Sequence, residues 1–179
     1  MYSFLPYNPN NAYEIKKLFI KVFTDSEGAD EGLLIGDLVG ELMTTTEDKD
    51  MFGFVATDND KIIGSVFFTR LKFENNNNVF ILSPMAIMTD YQGKGIGQKL
   101  INFGIKTLKE NNIKWLFTYG DIKFYSKIGF KLINDKQALP PFKLTYPEGW
   151  LAQSLIGDDI TKITGKSSCV KALNKVVYW

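Results

Sequence analysis

Three glycines, Gly93, Gly95 and Gly97, alternate with other residues in a short stretch between two apolar segments. The preceding segment, residues 79–88, is almost entirely apolar and predicts a buried strand. The following segment, residues 98–109, has the apolar spacing of an amphipathic helix. Alternating glycines ahead of a helix expose successive backbone N–H groups, which bind anions and above all phosphate groups. The stretch therefore predicts a phosphate-binding turn.

The glycine spacing excludes two common nucleotide-binding motifs. A dinucleotide fold requires G-x-G-x-x-G after the first strand of a βαβ unit, whereas residues 52–88 of this chain predict an antiparallel meander. A P-loop requires G-x-x-x-x-G-K-[ST], and Gly95 has no such partners. The phosphate that binds here must therefore belong to another kind of ligand.

Histidine is absent from the chain, and Cys169 is its one cysteine. Without histidine, Ser-His-Asp and Cys-His mechanisms are excluded within this chain. Cys169 stands among apolar neighbours, which favours a packing role over a covalent intermediate. A single cysteine excludes an internal disulfide and is typical of a reducing compartment.

Two helices are predicted ahead of the strands. The first runs to Phe23 and is capped by Asn10 or Asn11. A polar break at residues 24–30 separates it from a second helix at residues 31–43. That helix contains three glycines, which we interpret as a loosely formed helix rather than as a closely packed one.

Residues 52–57, 61–71 and 79–88 predict the three strands of the meander, and residues 58–60 predict the turn between the first two. Residues 83–84, Ser-Pro, interrupt the third strand and predict a bulge or local break, because proline removes one hydrogen-bond donor.

The strand predicted at residues 114–119 is parallel to the one before it, because a helix crosses between them. Asp121 is then expected to cap a short helix that ends at Gly129. Three more strand-like segments follow, at residues 130–133, 142–146 and 150–155.

Two motifs together resemble those of a known family. Gln92, Gly95 and Gly97 form the pattern Q-x-x-G-x-G between a strand and a helix, and residues 124–130, FYSKIGF, follow the next predicted strand. The pair resembles the acetyl-CoA-binding motif and the F/Y-Y-x-x-x-G-F segment of the GNAT superfamily of N-acetyltransferases. The resemblance covers roughly residues 12–133 and is greatest to a bacterial branch of uncharacterised acetyltransferases with a C-terminal extension.

The resemblance implies an α/β (α+β) GNAT fold. Its sheet would be mixed, mostly antiparallel and twisted, with six to seven strands, about four flanking helices and a splayed parallel pair at the centre. Residues 1–135 would form the N-acetyltransferase core, and residues 136–179 a C-terminal extension packed on the same single domain.

The resemblance also implies acetyl-CoA (coenzyme A) as the co-substrate and no metal. Tyr125 would be the general acid that protonates the departing thiolate, which a phenol of pKa ~10 can do. A backbone N–H of Met88, or of Ile87, would hold the developing oxyanion. The residues expected to contact coenzyme A are Ile87, Met88, Thr89, Gln92, Gly93, Lys94, Gly95, Ile96, Gly97, Gln98, Lys99, Asp121, Phe124 and Tyr125.

The implied function is direct transfer of the acetyl group to a primary amine of a small molecule or protein, in a ternary complex. A non-catalytic coenzyme A-binding or regulatory domain on the same fold is the alternative, and transfer of a longer acyl group is a third possibility. The intact motif residues, including Tyr125, favour the enzyme. The general base stays open among Glu31, Glu41, Glu74 and a chain of water molecules.

The charge balance gives no sign of a nucleic-acid or membrane partner, since 21 basic and 20 acidic residues leave a net charge of +1. The N-terminal segment lacks the layout of a signal peptide, and no apolar run approaches the ~20 residues of a membrane span, so we expect a cytoplasmic protein. Residues 24–50 are rich in carboxylates, which indicates either a site for a cationic amine or a solvated surface. Trp150 and Trp179 are expected at the acceptor site or at the edge of a homodimer.

Overall fold

The structure is a computed structural model that describes residues 1–74, 76, 78–157, 163 and 165–179. Within these residues the helices are α1 Ala12–Glu27, α2 Ala29–Thr45, α3 Ile96–Glu110 and α4 Ile122–Tyr125. The strands are β1 Tyr2–Pro6, β2 Met51–Asp58, β3 Lys61–Arg70, β4 Val79–Ile87, β5 Trp115–Tyr119, β6 Lys131–Leu132 and β7 Trp150–Ser154.

The strands form a seven-stranded sheet in the order β1-β2-β3-β4-β5-β7-β6. The β4–β5 pair is parallel, whereas β1–β2, β5–β7 and β6–β7 are antiparallel. This confirms the predicted α/β class, the mixed sheet and the parallel pair at its centre. None of the helices within the described residues is long and apolar enough to cross a membrane.

The chain divides into two compact units, residues 1–68 with 84–104, and residues 69–83 with 105–179. In the first unit, α1 is longer than predicted and continues through residues 24–27, so that only Gly28 (φ 103°) separates it from α2. Asn11 is the N-cap residue of α1, but its side chain makes no capping hydrogen bond. The polar break that we expected is therefore almost entirely helical.

The glycines of α2 make a close contact with α1. A Cβ at Gly32 would collide with Thr24, and a Cβ at Gly36 would collide with Ile20. Both glycines are buried, and Phe19 of the same α1 is fully buried. The expectation of a loosely formed helix is wrong, because the missing side chains allow the two helices to pack closely.

The β2–β3 turn confirms the predicted hairpin, with Asn59 (φ 48°) and Asp60 (φ 64°) in the left-handed region that such turns require. At one end of the β3–β4 pairing, Leu71 N–H donates to Val79 O at 2.9 Å. At the other end, Met88 N–H donates to Ile63 O at 2.8 Å.

The two hydrogen bonds at the ends of the β3–β4 pairing show that the two strands contribute different numbers of residues. The first and second hydrogen bonds lie eight residues apart along β3 and nine residues apart along β4. One residue of β4 is therefore extra, which makes a β-bulge. This agrees with the bulge that residues 83–84 predict.

In the second unit, β5 pairs along its whole length with β7, from Trp115 opposite Ser154 to Tyr119 opposite Trp150. Since β7 lies within residues 136–179, the segment predicted as an extension supplies an inner strand of the sheet. The strand predicted at residues 142–146 is wrong, because those residues form an irregular loop before β7.

Two segments of the chain are described only in part. The loop at residues 72–78 includes positions 75 and 77, and the tail after Gly157 includes positions 158–162 and 164, which all lie outside the described residues. The later part of the tail contains two short 3₁₀ turns, Lys171–Leu173 and Val176–Tyr178.

Candidate active site

The glycine turn, residues Gln92–Gly97, lies in the first unit and follows the short 3₁₀ turn Thr89–Tyr91 that comes after β4. Its last two residues are the first two of α3. Gly93 (φ 75°) and Gly95 (φ 74°) adopt backbone conformations that other residues rarely take. A Cβ at either position would have no atom within 4 Å. The turn is therefore open above its backbone, and glycine is required for conformation rather than for packing.

The start of α3 supplies N–H groups beside this open space. The first helical hydrogen bond runs from Lys99 N–H to Gly95 O at 3.1 Å. The N–H groups of residues 96–98 consequently have no acceptor within the helix, and they lie at the positive end of the helix dipole. This arrangement suits an anionic group such as a pyrophosphate.

Gln92 ties the turn to the last residue of β4. Its side-chain amide donates to the carbonyl oxygen of Ile87 at 2.9 Å. Neighbouring residues of a strand direct their backbone groups to opposite edges of that strand. Met88 N–H donates to Ile63 in β3, so the backbone of Ile87 faces away from β3. The Met88 N–H is thus already used by the sheet, which leaves Ile87 as the candidate oxyanion donor.

Two lysines predicted to add positive charge lie beside the glycine turn. Lys94 Nζ donates to Asp90 O at 2.9 Å and lies 5.1 Å from the centre of the Tyr91 ring. Lys99 is exposed on the first turn of α3. The positions of both are compatible with binding a phosphate group.

Asp25 and Thr89 connect the end of α1 to the residue after Met88. Thr89 Oγ1 donates to Asp25 Oδ2 at 2.9 Å, and Lys21 Nζ lies 2.9 Å from the same oxygen. The hydrogen bonds from Lys21 and Thr89 hold the pKa of the Asp25 carboxyl below its usual value. This carboxylate of the acidic stretch at residues 24–50 therefore has partners within the protein.

The second unit contains Tyr125, the predicted general acid. Asp121 accepts a hydrogen bond from Lys123 N–H at 2.9 Å, which confirms it as the N-cap of α4. The Tyr125 ring lies 5.4 Å from that of Phe130 in an edge-on arrangement. A Cβ at Gly120 would come within 2.6 Å of Cε2 of this ring. Tyr125 consequently packs directly against the glycine that follows β5.

The phenol of Tyr125 lies in an environment that keeps it protonated. Burial raises the pKa of Tyr125 above its usual value of 10.0, and a hydrogen bond with the Thr118 hydroxyl opposes part of that shift. Thr118 is 1% exposed, and its hydroxyl donates to Leu82 O at 3.0 Å. A neutral phenol in this position is able to donate a proton at neutral pH.

A cavity of about 350 Å³, which we call the Gly120 cavity, lies at the end of β5. Its walls are Tyr119, Gly120, Asp121, Ile122, Tyr146, Glu148 and Gly149. Glu148 also lines a larger groove of about 830 Å³, together with Phe142, Trp150 and other residues. The sequence analysis did not single out Glu148, because no local pattern shows that residues 146–149 return to the end of β5.

The three carboxylates proposed as general bases lie elsewhere. Glu31 is on α2, where burial, with a smaller effect of Glu27, raises the pKa of its carboxyl. Glu41 is also on α2, and Glu74 packs against Gly165. None of the three is among the residues that line the Gly120 cavity.

Comparisons with known proteins show which family the middle of the chain matches. The family described as "Acetyltransferase (GNAT) domain" matches residues 49–132, which include the glycine turn and Tyr125. The uncharacterized N-acetyltransferase YjhQ of Escherichia coli (strain K12) is 27% identical over 166 residues, which cover 89% of this chain and 87% of that protein. Residues 49–132 therefore form a GNAT acetyltransferase domain.

Solved GNAT structures share the fold of this GNAT protein. The GNAT family N-acetyltransferase YhbS from Escherichia coli, in complex with CoA, has a TM-score of 0.81 at 23% identity and covers 98% of this chain and 93% of its own. A GNAT family acetyltransferase from Brucella melitensis, in complex with acetyl-CoA, has a TM-score of 0.76 at 20% identity, with 97% and 98% covered. Within the described residues of our chain, no group of three or more His, Cys, Asp or Glu residues is arranged to hold a metal ion.

Proposed function

We propose that this GNAT protein is an N-acetyltransferase that transfers the acetyl group of acetyl-CoA directly to a primary amine in a ternary complex. The observation that carries the proposal is the open glycine turn at the start of α3, tied by Gln92 to the end of β4. Relatives that share the fold are described as complexes with CoA and with acetyl-CoA, which supports the same ligand for this chain.

Acetyl-CoA fits the glycine turn through its pyrophosphate. The N–H groups of residues 93–97 would bind the phosphate oxygens, and Lys94 and Lys99 would add positive charge. The open space at Gly93 and Gly95 supports this placement, because a side chain there would fill the volume that the phosphate needs.

The pantetheine arm would pair with β4 as an added strand along residues 87–89. The backbone of Ile87 faces away from β3, so its N–H lies at the edge of β4 opposite to β3. We propose that this N–H polarises the thioester carbonyl and stabilises the negative charge that develops on its oxygen. The proposal replaces the N–H of Met88, which donates to Ile63.

Tyr125 would protonate the sulfur of coenzyme A as the C–S bond breaks. Its raised pKa supports the role, because the phenol stays neutral at neutral pH. The acceptor nitrogen attacks the carbonyl carbon, the C–N bond forms and the thiolate leaves with the proton of Tyr125. The free thiol of Cys169 favours a reducing, cytoplasmic site of action.

Two measurements on the intact protein test the proposal. Acetyl-CoA is titrated calorimetrically, and thiol release is followed with a panel of primary amines: spermidine, agmatine, an aminoglycoside, an Nα-acetyl-lysine amide and a glycine amide. Saturable binding together with amine-dependent release is the expected result. Binding with no release on any amine would support the non-catalytic alternative, and absence of binding would overturn both.

A further inference from the structure

We propose that Asp25 of α1 is a positioning residue, which holds Thr89 in place for the pantetheine arm of acetyl-CoA. The inference rests on the proposed function, in which the arm pairs with residues 87–89. It gives α1 a part in binding the co-substrate, although no residue of that helix is expected to contact the ligand. Both residues belong to the first unit of the chain.

The segment that contains Thr89 has a fixed backbone but a poorly packed side chain. Met88 N–H donates to Ile63 O at 2.8 Å, and Gln92 N–H donates to Thr89 O at 3.2 Å. Thr89 is itself exposed, and it lines a cavity of about 170 Å³ together with Lys21 and other residues. Apolar packing therefore does not fix the side chain of Thr89.

The contact that fixes this side chain comes from α1. Thr89 Oγ1 donates to Asp25 Oδ2 at 2.9 Å, although the two residues are 64 positions apart in the sequence. Lys21 Nζ donates to the same oxygen at 2.9 Å and to Oδ1 at 3.2 Å. Lys21 thus orients the carboxylate that accepts from Thr89, and hydrogen bonds to an ionised carboxylate are among the stronger ones.

The stability of α1 does not explain why an aspartate occupies position 25. The helix ends at Glu27 and has no basic residue in its last turn. A carboxylate there lies near the negative end of the helix dipole, which is unfavourable. A lysine followed by an aspartate four residues later is also the weaker order for such a pair. A residue that breaks local rules in this way points to a functional role.

The hydrogen bond to Asp25 preorganises Thr89 for the pantetheine arm. Threonine has few side-chain rotamers, and the bond to Asp25 selects one of them. Without Asp25, the side chain would have to be ordered when the arm binds, and this ordering would reduce affinity. The phosphates are assigned to the N–H groups of residues 93–97, so their binding should not depend on Asp25. The effect is therefore specific to ligands that carry pantetheine.

The test uses two ligands that differ in the pantetheine arm. CoA and adenosine 3′-phosphate 5′-diphosphate, which has the phosphates of CoA but no arm, are titrated calorimetrically into wild type and Asp25→Ala. We expect Asp25→Ala to lower CoA affinity by about tenfold, the scale of one hydrogen bond to a charged group. The affinity for the nucleotide should stay within about twofold of wild type.

The matched control is Asp37→Ala. Asp37 is an exposed carboxylate of α2 that pairs with Lys16 of α1 at 2.9 Å. This variant also removes an ion pair of α1, and it should bind both ligands like wild type. CoA affinity of Asp25→Ala within about threefold of wild type would overturn the proposal. An equal loss for both ligands, or an equal loss of CoA affinity in Asp37→Ala, would overturn it as well, because either result would indicate a general structural effect.

A double-mutant cycle tests whether Asp25 acts through Thr89. Thr89→Val removes the hydroxyl and keeps the branched shape, so it should also lower CoA affinity. Asp25→Ala combined with Thr89→Val should bind CoA within about twofold of Thr89→Val alone, because both changes remove the same contact. Fully additive losses would contradict a role through Thr89.

These affinities are measured without turnover, which separates the inference from the proposed function. If wild type binds CoA but releases no thiol with any panel amine, the proposed function fails, and the CoA affinities of the variants still decide the role of Asp25. If wild type releases thiol and Asp25→Ala binds CoA equally well, the inference alone fails. Absence of CoA binding by wild type would overturn both.

Discussion

The glycine turn of the first unit and the Gly120 cavity of the second unit are assembled in different ways. The turn is contiguous in sequence, and its proposed chemistry depends on backbone N–H groups that glycines leave accessible. The cavity combines residues 119–122 with residues 146–149, and the proposed chemistry of this unit depends on the side chain of Tyr125, whose ring contacts Gly120. Substitutions should therefore affect ligand affinity in the first region and turnover in the second.

The largest effect is expected for Tyr125→Phe, which removes the proton donor and keeps the ring. We expect kcat to fall by about 100-fold or more at saturating substrates, because general-acid catalysis contributes on that scale. Acetyl-CoA affinity, measured by titration, should stay close to that of wild type. An unchanged kcat would exclude Tyr125 as the acid.

The pH dependence of wild type provides a second test of the same residue. The acid form of Tyr125 is the active one, and its pKa is raised above 10.0, so kcat should not fall through loss of this proton until the pH exceeds that value. Tyr125→Phe should lack this alkaline decrease. A decrease in kcat that is the same in both proteins would assign it to another group.

A loss of ligand affinity instead of turnover is expected for Gly93→Ala combined with Gly95→Ala. A left-handed backbone costs about 1–2 kcal/mol per non-glycine residue, and 1.4 kcal/mol corresponds to about tenfold in affinity. We expect acetyl-CoA affinity to fall by about 100-fold for the double variant, with kcat at saturation little changed.

The matched control for this variant is Gly157→Ala. Gly157 has a similar backbone conformation (φ 88°) and open space around its Cβ position, but it lies in the other unit. Its substitution should cost about half the stability that the double variant loses, and should leave acetyl-CoA affinity unchanged. An equal loss of affinity in both variants would show that general destabilisation, and not the turn, was responsible.

The two regions also differ in how far the sequence predicts them. The strand, the glycines and the helix of the turn are adjacent, so local spacing is sufficient to identify them. The neighbours of β5 are not local, because β7 returns to it from residues 150–154 after an irregular loop. Residues 146–149 reach the end of β5 only through that pairing, which no periodic pattern in the sequence indicates.

The same difference between local and non-local contacts explains why the predictions for α2 and for the Met88 N–H were wrong. The glycines of α2 are unfavourable for an isolated helix, and only the contact with Thr24 and Ile20 of α1 shows why they are present. The N–H of Met88 is another case, since the residue that accepts its hydrogen bond lies in β3. Local propensity cannot anticipate such partners.

An intermediate effect on turnover is expected for Gly120→Ala. The added Cβ would lie 2.6 Å from the Tyr125 ring and must displace it. Since a 1 Å misplacement can cost about 100-fold in rate, we expect kcat to fall by about tenfold. Combining Gly120→Ala with Tyr125→Phe should add little to the Tyr125→Phe effect, and fully additive losses would contradict a role through Tyr125.

The smallest effect is expected for Asp121→Ala, which removes the N-cap of α4. Loss of such a cap costs about 1 kcal/mol of unfolding free energy, measured by urea denaturation. Asp135→Ala, which removes an exposed carboxylate outside any helix, serves as the control. Equal stability of the two variants would argue that the Asp121 cap contributes nothing.

A crystal structure of the protein with coenzyme A tests the central claim most directly. We predict that the pyrophosphate lies within hydrogen-bond distance of the N–H groups of residues 93–97, that the pantetheine pairs with Ile87, and that the Tyr125 hydroxyl reaches the sulfur. Coenzyme A bound away from the glycine turn, or with its sulfur out of reach of Tyr125, would contradict the account.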